Sequence, residues 1–130
     1  MREVIKHLKA NIGEFVICGS LALYLHDLIP DYNKEEIDII VDKNISIDGY
    51  RRHTSNRFNA QGWFGKYNDV YIDVYNKPLP DFDKVVVDGL IMRIKTVNAL
   101  KMHYLSLDLD TMEGHDRFKQ KMMTRVDLFK

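Results

Sequence analysis

Three observations predict an α+β fold, a mixed β-sheet with helices packed on it. Residues 36–41 (EIDIIV) and 69–75 (DVYIDVY) are short β-branched segments, the second strictly alternating, which is the pattern of strands. Two β-branched runs over 84–94 flank Asp88-Gly89, a strong hairpin signal because both turn positions favour positive φ. Apolar residues recur at helical spacing near both ends of the chain, at Val4, Ile5, Leu8 and Ile12 and again at Phe118, Met122, Val126 and Phe129.

The elements follow in order. A first helix covers residues 2–10, with Arg2, Glu3, Lys6 and Lys9 outside its apolar stripe, and stops at Asn11 to Gly13. EFVIC, residues 14–18, reads as a buried strand. Gly19 follows, and a helix opens on Ser20 with Leu21, Ala22, Leu25, Leu28 and Ile29 inward, until Pro30 ends it. A polar loop, PDYNKEE, leads to the strand at 36–41. The next stretch is polar, with Asp48-Gly49 as a turn signal and Arg51, Arg52, His53 and Arg57 close together. AQGWFG, residues 60–65, predicts an irregular edge or short strand; 69–75 is a strand, and Lys77 to Asp83 a proline-containing loop. Beyond the hairpin, Thr96 caps a helix through Leu107, with Val97, Leu100, Tyr104 and Leu107 on one stripe. DLDTMEG breaks the pattern, and a last helix runs on from Met112. The expected order is α-β-α-β-β-β-β-α-α. No repeat, low-complexity segment or linker interrupts it, so residues 1–130 are expected to form one domain, with a motif core at 14–75 and C-terminal helices at 96–130.

Composition narrows the classes. A length of 130 residues suits one domain, and 45% hydrophobic with 29% charged residues argues against disorder. Lys plus Arg and Asp plus Glu both number 19, so no bulk basic field exists for gripping nucleic acid and only a local patch would serve. The one cysteine, Cys18, excludes a disulfide scaffold. No run approaches the roughly 20 apolar residues of a spanning helix, and MREVIKHLKANIGEF lacks a secretory h-region and cleavage site. A cytoplasmic protein with no membrane partner is expected.

The chemistry lies in three acids. Alternation puts Glu36 and Asp38 on one side of their strand and Ile37, Ile39 and Val41 on the other, and sets Asp73 opposite Val70, Ile72 and Val74. Asp is depleted from strand interiors. If the two strands are neighbours the carboxylates converge, and a hard cation such as Mg²⁺, which takes carboxylate and phosphate oxygens, offsets their repulsion. Two such ions would activate a hydroxyl and stabilise a leaving pyrophosphate. The Gly19-Ser20 turn is complementary, since glycine lets a phosphate approach the backbone, helix-start N–H groups favour an anion, and Ser20 adds a donor.

Cys18-Gly19-Ser20, the triplet Glu36-Ile37-Asp38 with Ile39, and Ile72-Asp73-Val74 together resemble the nucleotidyltransferase superfamily with its polymerase-β-like palm. The pattern GSLALYLHDLIP…EEIDIIVD looks most like the small AbiEii-like and minimal nucleotidyltransferases of bacteria, their mobile elements and phages. The likeness spans residues 14–75 by motif and reaches residue 107 by element order, including Lys101. It implies a nucleotidyltransferase-like sheet in which Glu36, Asp38 and Asp73 are catalytic and bind Mg²⁺. It also implies that Gly19, Ser20 and Lys101 bind the nucleotide. A nucleoside monophosphate would pass from a triphosphate to a hydroxyl acceptor: a tRNA end, a protein side chain or a small molecule. The first acid of the family is usually Asp; here it is Glu36, one methylene longer, and the gap from Ser20 is long. The alternative is therefore a weakened module of the same fold that binds nucleotide, RNA or a partner protein without chemistry. A toxin–antitoxin or phage-defence role follows only by family analogy. With little room beyond sheet and helices, a second copy or a partner protein is expected to complete the acceptor site.

Other features read more simply. Cys18 is an inert small hydrophobe, the arginine cluster a solvated loop, and Trp63 and Phe64 packing residues rather than base-stacking ones. Lys101 is left between a triphosphate ligand and a surface lysine. His26, His103 and His115 lack zinc spacing.

Overall fold

Strand alternation sorts the chain into one seven-stranded mixed sheet with two chemically different faces. The computed structural model describes residues 1–55, 60–112 and 114–130; Arg57 of the arginine cluster lies outside them. The elements are α1 (Arg2–Ile12), β1 (Val16–Cys18), α2 (Gly19–Leu25), β2 (Glu36–Val41), β3 (Arg51–Ser55), β4 (Ala60–Tyr67), β5 (Val70–Asn76), β6 (Phe82–Val87), β7 (Leu90–Lys95), α3 (Val97–Leu105) and α4 (Asp116–Asp127), with a 3-10 helix at Leu109–Met112 before α4. The α+β architecture is as expected. The strand order is β3-β4-β5-β2-β1-β7-β6; β2 runs parallel to β5 and β1 parallel to β7, and the remaining pairs are antiparallel.

One face is apolar. Ile17, Ile37, Ile39, Ile72, Val74, Met92 and Ile94 point to it and are buried, together with the α1 stripe of Val4, Ile5, Leu8 and Ile12. Polar contacts fix α1 across this face: Arg2 donates to Asp88 O and Lys9 to Ile91 O on the β6–β7 hairpin, while His7 stacks on Tyr67 at the end of β4. The other face carries Cys18, Glu36, Asp38, Asp73, Tyr75 and Lys95, and α3 and α4 stand over it to enclose a cleft.

Several boundaries differ from expectation for local reasons. α2 stops at Leu25 rather than reaching Ile29, because Asp27 takes a left-handed φ of 59°. The N–H of Leu28 then bonds back to Leu23 O and that of Asp27 to Tyr24 O, closing the helix end. Leu28 and Ile29 still pack on the core, which is why their spacing imitates helix. The 42–57 stretch contains a strand, β3, built from Arg51, Arg52 and His53 onward; as an edge strand it needs no apolar pattern, and charge there deters edge pairing. AQGWFG belongs to a full strand, β4, joined to β5 through Asn68 and Asp69 at φ 47° and 62°, a two-residue turn without glycine. The Asp88-Gly89 hairpin forms as expected, with φ 51° and 78°. Thr96 caps α3, its hydroxyl accepting from Ala99 N at 3.1 Å. Among the described residues no helix is long and apolar enough to cross a membrane.

Ile39 sits fully buried at the middle of β2, the strand that carries Asp38. Replacing it with Ala should cost about 2–5 kcal/mol, from lost transfer energy and a residual cavity, as measured by urea unfolding. A cost under about 1 kcal/mol would contradict this packing.

Candidate active site

Backbone pairing builds the site. In the parallel β2–β5 ladder Asp38 is the direct partner of Asp73, and in the antiparallel β1–β2 ladder Cys18 is the partner of Asp38. The turn after Cys18 therefore opens beside the acids. Gly19 has φ 65°, and a Cβ there would collide with Asp38 Oδ2. Glycine is needed at 19 both for its backbone and for the carboxylate lodged against it. Glu36, at the start of β2, is exposed and lines the same cleft. The structure thus brings together Gly19, Ser20, Glu36, Asp38 and Asp73. It does not bring Lys101 to them: that side chain is on the exposed side of α3, while Leu100, His103 and Tyr104 supply the wall. α2 has seven residues, so what Gly19-Ser20 offers an anion is local N–H groups and a hydroxyl rather than a long helix dipole.

Electrostatics mark the pair. Burial, then the charges of Asp73 and Glu36, push the Asp38 carboxyl up to about 7, with Lys121 opposing. Burial also holds Asp73 above the usual carboxylate range; the neighbouring His53 side chain opposes this and Glu36 adds to it. His53 Nε2 lies 3.1 Å from Asp73 Oδ1, across β4. Distance makes this an ion pair when His53 is protonated, and Nε2 is buried with no hydrogen-bond partner. Gly62 stands between His53 and Tyr75 in the ladder, and a Cβ there would strike Val74 O of the neighbouring strand.

The cleft has a cationic side that the sequence did not disclose. Lys95, only 7% exposed, and Lys77 end β7 and follow β5, and Lys121 and Arg125 of α4 join them. Burial lowers the Lys95 amine, opposed by Cys18 and reinforced by Lys77. Burial and then Lys95 and Lys77 push His103 down to about 4, so its ring is neutral at pH 7. The Cys18 thiol is pushed up to about 12 by burial and by Asp38, in keeping with an inert residue. Alternation of Ile94 and Lys95 does place Lys95 on the acid face, but only the β1–β7 crossover pairing, invisible locally, sets it beside Cys18.

The donor set suits a hard divalent cation. Two carboxylates lie side by side with a third nearby, all oxygen donors, and their mutual repulsion calls for positive charge. Among the described residues, no three His, Cys, Asp or Glu side chains are already gathered at one point. Mg²⁺ does not require that, since it is commonly held by one or two carboxylates with substrate phosphates completing the shell.

The chain has no significant match to a family model, a curated protein or a solved structure. What it does has to be read from the cleft itself.

A carboxyl whose folded pKa is raised favours folding fully below its unfolded pKa, here 3.8, and loses that contribution as pH rises through about 7. Asp38→Asn removes the titration. In chelator-containing buffer, the Tm of the variant relative to wild type should climb as pH rises from 4 to 7 and level off above. A difference that does not vary with pH would contradict the crowded acid pair.

Proposed function

We propose that this protein is a Mg²⁺-dependent nucleotidyltransferase, moving a nucleoside monophosphate from a nucleoside triphosphate to a hydroxyl acceptor. The observation that carries the reading is the direct pairing of Asp38 with Asp73 beside the Gly19-Ser20 turn, in a cleft whose other side is cationic. It agrees with the resemblance of those motifs to the nucleotidyltransferase superfamily.

Asp38 and Asp73 would hold the metal, with Glu36 reaching in from the start of β2. When bound, Mg²⁺ supplies the charge that draws a hydroxyl towards ionisation and stabilises a departing pyrophosphate. The Gly19-Ser20 N–H groups and the Ser20 hydroxyl would take the β- and γ-phosphates, and Lys95 with Lys77 would neutralise them. The acceptor oxygen forms a bond to the α-phosphorus. The bond to the bridging oxygen breaks, pyrophosphate leaves with the electron pair, and the hydroxyl proton passes to the Asp73 carboxylate. Held on the strands and turns of one sheet face, Asp38, Asp73 and Lys95 need little reorganisation at the moment of reaction.

The exposure of Glu36 and the contact of His53 with Asp73 favour a second reading, a binding module of the same fold without transfer. Incubation with labelled triphosphates, Mg²⁺ and cell extract separates the two. Under the first reading an acceptor is labelled, Asp38→Ala and Asp73→Ala abolish labelling, and Glu36→Asp retains or raises it. Triphosphate binding without labelling by wild type or Glu36→Asp favours the module. Absence of Mg²⁺-triphosphate binding in calorimetry sinks both nucleotide readings. Lys95→Met should weaken triphosphate binding about ten- to hundredfold, the usual loss of a hydrogen bond to a charged group. An unchanged affinity would remove Lys95 from the phosphate site.

A further inference from the structure

Beyond the cleft, the acid-bearing face of the sheet continues over β5, β4 and β3, and there it carries exposed aromatic rings. Phe64 is 40% and Tyr71 41% exposed. Their rings stack with centroids 5.5 Å apart and planes 15° from parallel. Lys66 sits over Tyr71 at 5.0 Å from the ring centroid, and Arg51 is the ladder partner of Phe64, so it shares that face. Trp63 next in sequence points the other way and is buried, with Arg52 over its ring at 5.6 Å. Strand alternation thus assigns one aromatic to the core and presents the next to solvent.

We propose that this face binds a single-stranded nucleic acid, with bases stacking on Phe64 and Tyr71 and phosphates meeting Arg51 and Lys66, and that its terminal ribose hydroxyl is the acceptor. The second half of that statement rests on the nucleotidyl-transfer reading; the first half does not. Every base has a flat face, so stacking on exposed aromatics beside cations is a sequence-tolerant way to hold a single strand. Placement ties the platform to the chemistry. Phe64 is the ladder partner of Asp73, and Tyr71 is the partner of Glu36. Tyr71 precedes Asp73 by two residues on the same face, about 7 Å along the strand, which is close to the spacing of one extended nucleotide.

Charge gives the strand a direction. Phosphates are repelled by Glu36 and Asp73 and attracted by Arg51 and Lys66, although Lys66 also pairs with exposed Asp69 at 3.8 Å. A neutral ribose hydroxyl is the part of the chain that enters the acid end without repulsion. The exposed apolar area here is two rings bordered by charged side chains. That is narrower than the apolar patches that mark protein docking, and it favours nucleic acid over a protein partner.

The test pairs two measurements on the full chain. Fluorescence anisotropy follows a labelled single-stranded RNA of mixed sequence, and calorimetry follows Mg²⁺-triphosphate binding. Wild type should bind the single strand more tightly than a duplex of equal length. Phe64→Ala and Tyr71→Ala should each weaken RNA binding about tenfold or more and leave triphosphate affinity unchanged; both rings are exposed, so folding is preserved and circular dichroism verifies it. Arg51→Gln and Lys66→Gln should each lower the salt dependence of RNA binding by about one charge. RNA binding that is absent, or indifferent to loss of both rings, overturns the proposal while intact triphosphate binding keeps the transferase reading. RNA binding as described with no triphosphate binding does the reverse for the transfer step. Labelling of a protein rather than RNA in extract overturns the acceptor assignment.

Discussion

The structure depends on one pairing. β2 and β5 run parallel and in a register that sets Asp38 against Asp73, with Ile37 against Ile72 and Ile39 against Val74 on either side. Two like charges would not choose this arrangement. They are held by the apolar residues on the opposite face, all buried, because a slip of one residue would turn those side chains to the cleft and the acids into the core. Burial of the isoleucine and valine set thus fixes the acids against their mutual repulsion.

The same logic explains the neighbouring positions. Gly19 is the residue that an adjacent carboxylate permits, and Gly62 is the residue that the β5 backbone at Val74 permits. The formal net charge of zero resolves into a local division. Carboxylates gather where β1, β2 and β5 meet, and Lys77, Lys95, Lys121 and Arg125 line the rest of the cleft. The proposed metal–triphosphate complex, with both cationic and anionic parts, would satisfy both sides.

Much of this was legible in the sequence where side-chain alternation and turn chemistry are local. The acids on strands, the glycine turn before a helix, the Asp88-Gly89 hairpin and the capping Thr96 all follow from short patterns, and so does the α+β class. What was not legible depends on long-range pairing or on edges. β3 is an edge strand of arginines and histidine with no apolar period, so nothing local in the sequence sets His53 beside Asp73. Lys95 and Lys77 enter the cleft only through the β1–β7 and β2–β5 pairings, while Lys101, which element order suggested, stands on the exposed side of α3. Trp63 packs in the core while Phe64 stacks on Tyr71 at the surface, a division that is visible only once β4 is known to be a regular strand.

The central claim is that Asp38 and Asp73 share one divalent cation with the phosphates held at Gly19-Ser20. Paramagnetic broadening by Mn²⁺, recorded in nuclear magnetic resonance spectra with a non-hydrolysable triphosphate present, tests it most directly. Signals of Cys18 to Ser20, Glu36 to Asp38 and Asp73 should broaden first and together, and Asp38→Asn should abolish the effect. Broadening centred on the exposed Asp108 and Asp110 turn instead, with the cleft signals sharp, would contradict it.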